Sequence, residues 1–168
     1  MNKSVKSLAN SFKYAFAGLW FAIKNERNMR IHIVATIYVL LFSRFYNLTR
    51  GEYALLFLTI ALVILCEMLN TAVELTVNIK TSEQNYYAGK AKDVSAGAVL
   101  VSAIFAVCIG FALFFDLNII KEIFNYFKHN IIMLLTLIIS LIISLVFIFY
   151  PTKHKALAEG YERKKKDD

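Results

Sequence analysis

Residues 53–74 read YALLFLTIALVILCEMLNTAVE. A membrane-crossing helix needs about 20 mostly apolar residues, and this run has that length and character, yet it carries two carboxylates. At about 100° per residue, Asn70 lies about 60° from Glu67 around a helix, and Glu74 about 20° from it. The three polar side chains therefore share one face. The helical rise sets Glu74 about 10 Å beyond Glu67 along the axis. With the span starting near Tyr53, Glu67 falls inside the hydrocarbon boundary and Glu74 near one surface. A carboxylate at the membrane core costs at least about 2.5–3.5 kcal/mol. Two on one face imply a partner: a proton, a cation or a metal. The alternative is a pair of acids satisfied by packing, but intramembrane carboxylates are functional by default.

The rest of the chain agrees with a membrane setting. Of its 168 residues, 58% are hydrophobic and only 18% charged, against about 45–50% and about 25% in soluble domains. One Pro and six Gly exclude disordered and collagen-like classes. Three more apolar segments cover roughly 31–48, 94–115 and 131–150. The segment 31–48 is the weakest, with Arg44 snorkelling near its end. The segment 94–115 is rich in small residues that let helices approach closely. The segment 131–150 has no charge; its Thr136, Ser140 and Ser144 form one stripe suited to helix–helix contact. Before the first span, Val5, Leu8, Phe12, Phe16, Leu19, Trp20 and Ile23 recur every three or four residues, with Lys6, Asn10, Lys13 and Lys24 largely off that stripe. An amphipathic helix over 5–23 with a basic polar face suits the membrane interface; the alternative is a helix facing a protein core. No compact apolar core followed by a small-residue cleavage site marks a signal peptide. The expected fold is thus an all-α membrane protein: an interfacial amphipathic helix and four transmembrane helices.

Four spans put both termini on one side. That side and the 75–93 loop hold fifteen of the Lys and Arg residues, and the other side holds four, Arg44, Arg50, Lys121 and Lys128. The positive-inside rule then places both termini in the cytoplasm, in a multi-pass protein of the inner (plasma) membrane. Cys66 and Cys108 form neither a CxxC nor a zinc spacing. They are packing residues, and a disulfide framework and a structural zinc are excluded.

The cytoplasmic boundary collects further acids. Glu26 lies in NER (25–27), between the surface helix and the first span. Lys92 and Asp93 end TSEQNYYAGKAKD (81–93), just before the third. Glu26, Glu74 and Asp93 with a lysine could hold Mg²⁺ and a polyphosphate, because Mg²⁺ prefers oxygen ligands and substrate phosphates. Glu67, deeper in the membrane, suits a general base acting on a lipid hydroxyl. The chain has neither GxxxxGK[ST] nor GxGxxG, so any ATP site is neither a P-loop nor a Rossmann site. His32, His129 and His154 do not cluster.

NERNMR, CEMLNTAVE and AGKAKDVSAGAVL, in this order and spacing, together resemble the bacterial integral-membrane diacylglycerol kinase family over about residues 5–116. NERNMRIH is similar to its Gram-positive branch, mainly undecaprenol kinases. The resemblance implies a homotrimer of three-span subunits with active sites between subunits near the cytoplasmic surface. Residue by residue, it implies Glu67 as the catalytic base and Glu26 and Glu74 as metal-binding carboxylates. Tyr14, Asn70, Glu83, Lys92 and Asp93 match the nucleotide site, to which Glu26 and Glu74 also belong. Asn28, Met29, Arg30, Ile31 and His32 match positions beside the lipid. The family's glycerolipid enzyme has acidic residues where this chain has His32 and Asn78, and Arg where it has Ser7, with Lys6 a possible substitute. The His32 departure puts diacylglycerol in doubt as substrate.

The expected organisation is a kinase core over 1–116 and an added span with a basic tail over 117–168, acting as an accessory packing and anchoring segment without catalytic residues. Some relatives carry a fused phosphatidic-acid-phosphatase-type domain there. PTKHKALAEGY (151–161) bears a faint likeness to its PSGH signature, but Thr152 and Lys153 replace Ser and Gly, and no phosphatase activity is expected. The expected activity is Mg²⁺-dependent transfer of the ATP γ-phosphoryl group to a membrane lipid alcohol, undecaprenol first and diacylglycerol second, with no nucleic-acid partner. Two other classes compete. In a small proton-coupled transporter Glu67 would relay protons and Glu26 and Asp93 would be dispensable. A catalytically dead adaptor would not bind nucleotide, against which the intact acidic set argues.

Overall fold

The computed structural model describes residues 3–80 and 85–151. All regular structure among them is helical: α1 (Lys3–Asn25), α2 (Arg27–Phe42), a 3₁₀ turn (Ser43–Phe45), α3 (Arg50–Lys80), α4 (Tyr86–Phe114), α5 (Leu117–His129) and α6 (Ile131–Phe149). Three stretches are long and apolar enough to cross a membrane: Arg50–Asn78, Tyr86–Phe114 and Ile131–Phe149. Glu83, the PSGH-like stretch beyond Pro151 and the basic tail lie outside the described residues.

The segment expected to cross first, 31–48, is shifted and shortened. Helix α2 has 16 residues, about 24 Å at 1.5 Å per residue, against a hydrocarbon core of about 30 Å. It ends where Ser43 turns its hydroxyl back to the Leu40 carbonyl (2.9 Å) and the chain enters the 3₁₀ turn. It starts early because α1 closes at Asn25, whose amide donates to the Phe21 carbonyl (2.9 Å), and Glu26 is extended.

Local sequence explains the other helix starts. Thr49 and Glu52 form a reciprocal cap on α3: the Glu52 carboxylate accepts from the Thr49 N–H (2.7 Å) and the Glu52 N–H donates to Thr49 Oγ1 (3.3 Å), a capping box. Asn85 Oδ1 caps α4 through the N–H groups of Tyr87 and Ala88. Asp116 Oδ1 does the same for α5 through Asn118 and Ile119. Helix α5 occupies a stretch to which no helix is assigned from sequence.

Helices α3 and α4 form an antiparallel hairpin. Asn78 meets Lys92 near the turn, Asn70 meets Ser95, and Leu56 and Phe114 line one cavity at the far end. Helix α2 packs between this hairpin and α6. Arg30 reaches the carbonyls of Phe147 and Tyr150, and Tyr38 Oη lies 2.9 and 3.2 Å from the hydroxyls of Ser140 and Ser144. Phe42 and Phe45 pack on Phe127 of α5. These pairings make α2 and α6 antiparallel neighbours. Two of the three residues in the expected hydroxyl stripe make this contact, while Thr136 bonds its own backbone at Ile132 (2.8 Å). On α1, Leu8, Phe12, Phe16 and Trp20 are exposed, and only the last turns pack inward, with Ala22 buried.

Candidate functional site

The buried face of α3 runs through Leu56, Thr59, Val63, Glu67, Asn70 and Thr71, the spacing of a single helical stripe. Its polar members find different partners. Thr59 and Thr71 donate to carbonyls one turn back, Leu55 (2.8 Å) and Glu67 (3.0 Å). The Asn70 amide donates to Glu74 Oε1 (3.0 Å), and its carbonyl oxygen accepts from the Ser95 hydroxyl (2.7 Å). Glu67 is 1% exposed, and its Oε2 has no hydrogen-bond partner. An unmade bond at a buried carboxylate is costly, so this atom is set apart from the rest of the stripe.

Glu67 and Asn70 line a groove of about 280 Å³ whose other walls are Asn28, Ile31 and His32 of α2 and Ala96, Val99, Leu100 and Ala103 of α4. Small side chains at Ala96 and Ala103 leave the room. An apolar cavity of about 110 Å³ lies further along the same three helices, lined among others by Ala35, Val39, Ile60, Val63, Ile109 and Gly110. His32 borders both spaces. The arrangement is a space with polar groups at Glu67 and, on the other side of His32, a separate apolar slot.

Several residues singled out from sequence meet here. Glu67, Asn70 and Glu74 share the face expected of them, and both Glu26 and Glu74 lie close enough to Glu67 to act on it electrostatically. Of the stretch 28–32, Asn28, Ile31 and His32 line the groove; Met29 is fully buried, and Arg30 turns to α6. A helix cannot aim five consecutive side chains at one space. Lys92 Nζ donates to Asn78 Oδ1 (2.7 Å) at the mouth of the hairpin. Asp93 instead faces Lys90 (3.4 Å), an exposed pair of small energetic worth. Tyr14 is exposed on α1, outside the groove.

Ser95 and Asn78 were not assigned site roles from sequence. Ser95 holds Asn70 in place, and Asn78 holds Lys92. The signal for Ser95 was its position three residues after Lys92, one helical turn along the opening of α4.

No group of three or more His, Cys, Asp or Glu side chains that could hold a metal occurs among the described residues. Mg²⁺, however, is commonly bound by one or two carboxylates together with substrate phosphates and water. Glu26 and Glu74 are carboxylates of the type that smaller donor set uses.

The profile of the family described as "Prokaryotic diacylglycerol kinase" matches residues 13–114. The chain is 40% identical over 105 residues to a "Diacylglycerol kinase" of Synechocystis, covering 62% of this chain and 60% of that relative's length. It is 38% identical over 104 residues to an "Undecaprenol kinase" of Bacillus subtilis, covering 62% of this chain and 85% of the relative. A "Diacylglycerol kinase" of Escherichia coli K12 is 33% identical over 94 residues, 56% of this chain and 77% of the relative. Helices α5 and α6 lie beyond the matched residues.

Proposed function

The chain belongs to the prokaryotic diacylglycerol kinase family, and from that premise we propose that it transfers the γ-phosphoryl group of ATP to a membrane lipid alcohol, undecaprenol ahead of diacylglycerol. The observation carrying this reading is the unpaired Glu67 Oε2 in a groove that shares His32 with a neighbouring apolar slot. A lipid hydroxyl placed in the groove would reach Glu67 Oε2, the buried side-chain acceptor left open among the described residues, with the first carbons of its chain toward the slot. His32 in the groove wall stands where the family's glycerolipid enzyme has an acidic residue, the departure that favours undecaprenol. Diacylglycerol is the second reading because relatives bear both names.

Glu67 takes the proton as the lipid oxygen bonds the γ-phosphorus and the bond to the β-phosphate oxygen breaks, releasing ADP. Lys92 is paired with a neutral amide, not a carboxylate, so its charge is available to the transferring group. Glu26 and Glu74 would hold Mg²⁺, which when bound neutralises the phosphates. Asn70, fixed by Glu74 and Ser95, orients this edge of the site. The decisive assay offers undecaprenol and diacylglycerol in parallel to the purified protein with Mg²⁺ and radiolabelled ATP. Label in undecaprenyl phosphate above phosphatidic acid is expected; the reverse would change the substrate, and label in neither would overturn the activity.

The proposal includes a homotrimer with sites completed between subunits. Val99 is the buried member of α4, and an outward groove of about 520 Å³ runs along Gly97, Val101 and Phe105. Tyr14 and Asp93 do not face the Glu67 groove of their own chain, consistent with a site shared by subunits. It also includes four crossings, a reading supported by α2 running beside α6 from Arg30 to Tyr38 and ending at Phe42 against Phe127 of α5. Helix α1, with its exposed Leu8, Phe12, Phe16 and Trp20, then lies in the cytoplasmic interface. In a chain with Cys66 and Cys108 replaced by Ala, neither Ser4→Cys nor Asp168→Cys should react with an impermeant maleimide in intact cells, while both should in inverted vesicles. Labelling of the Asp168→Cys variant from outside would remove the fourth crossing.

A further inference from the structure

Arg30 is 3% exposed. Its Nη1 donates to the carbonyls of Phe147 (2.7 Å) and Tyr150 (2.8 Å), and its guanidinium lies 5.8 Å from the centre of the Phe147 ring. The last carbonyls of a helix have no partners of their own, and positive charge is favoured at that end. Arg30 thus closes the C-terminus of α6, and α6 supplies the acceptors of a buried cation.

The same bond acts on α2. Arg30 closes the first turn of α2, its own N–H reaching the Glu26 carbonyl (3.4 Å). Within that turn Met29 is fully buried, and Arg30 ties the turn to α6. Flanking Arg30 are Asn28, Ile31 and His32, which form the α2 wall of the groove beside Glu67. Further along, Tyr38 meets Ser140 and Ser144.

We propose that α6, although outside the groove, positions its α2 wall through Arg30 and the Tyr38–serine contacts, and thereby sets how well the lipid alcohol binds. Arg30 is a positioning residue: it faces α6 and reaches the groove only through its neighbours on the helix. The inference rests on the lipid-kinase reading for its substrate, but the mechanical link does not.

The test uses the full chain in detergent with undecaprenol, Mg²⁺ and ATP. Arg30→Met should raise the lipid KM about tenfold, the scale of a lost hydrogen bond to a charged group. ATP KM and kcat at saturating lipid should hold steady. Arg30→Lys, which keeps a cationic donor, should recover part of the loss. Ser140→Val with Ser144→Val alters α6 alone and should raise the lipid KM by about threefold. Hydrogen exchange over residues 27–34 should quicken in both the Met variant and the serine variant. An unchanged lipid KM in the serine variant, or a shift confined to ATP, would overturn the proposal. If the unaltered chain phosphorylates no lipid, the kinase reading fails, and exchange then decides the link by itself: unchanged exchange over 27–34 in the serine variant would overturn it.

Discussion

Glu67→Gln lowers kcat by about 10²–10⁴-fold, the usual loss on removing a general base, while ATP remains bound. The amide matches the carboxylate in shape, so Leu56, Val63 and Asn70 on the same stripe keep their places. What disappears is the acceptor: Oε2, buried and without a partner, is replaced either by an amide NH₂ that donates or by a carbonyl that does not take a proton at neutral pH. The lipid hydroxyl then loses the carboxylate acceptor in the groove. Single-turnover kinetics with pre-bound ATP separates this from a binding defect. A variant retaining more than a tenth of the rate would show that Glu67 is not the base.

Glu74→Gln has its main effect on metal dependence. Its Oε1 accepts from the Asn70 amide, and a glutamine carbonyl can keep that bond, so the substitution removes charge while sparing the local network. The Mg²⁺ concentration giving half-maximal rate should rise about tenfold or more, roughly 1.4 kcal/mol of binding, with much of the rate restored at saturating metal. Glu26→Gln should behave alike, since both carboxylates sit within electrostatic reach of Glu67. Titrating Mg²⁺ at fixed ATP measures this. If both variants lost rate with an unchanged metal requirement, the metal-binding role would move elsewhere.

The α3 site was legible because helical periodicity alone puts Glu67, Asn70 and Glu74 on one face, and an apolar run fixes the helix they belong to. The Ser140 and Ser144 stripe was legible for the same reason. Periodicity does not say which neighbour a face meets, and that is where the reading ran short. Asn28, His32 and Arg30 lie within five residues, yet two line the groove and one caps α6; the difference is tertiary. The shift of α2 to Arg27–Phe42 came from Ser43 and Asn25, whose side chains bond nearby carbonyls. Such competition with the helix is local and weak in sequence. Helix α5 was overlooked, although Ile120, Phe124 and Phe127 recur at helical spacing after Asp116, a favoured N-cap type.

The antiparallel pairing of α2 with α6 has a bearing on how such a chain can grow. A chain ending after α4 would finish at the level of Phe114 and Tyr46, at the opposite end of the bundle from Lys92 and Asn78. With α5 and α6 added as a unit, the chain at Tyr150 comes back level with Arg30. Whatever follows Pro151 is thereby attached at the end of the bundle where Arg30 caps α6, without reversing the orientation of the helices already in place.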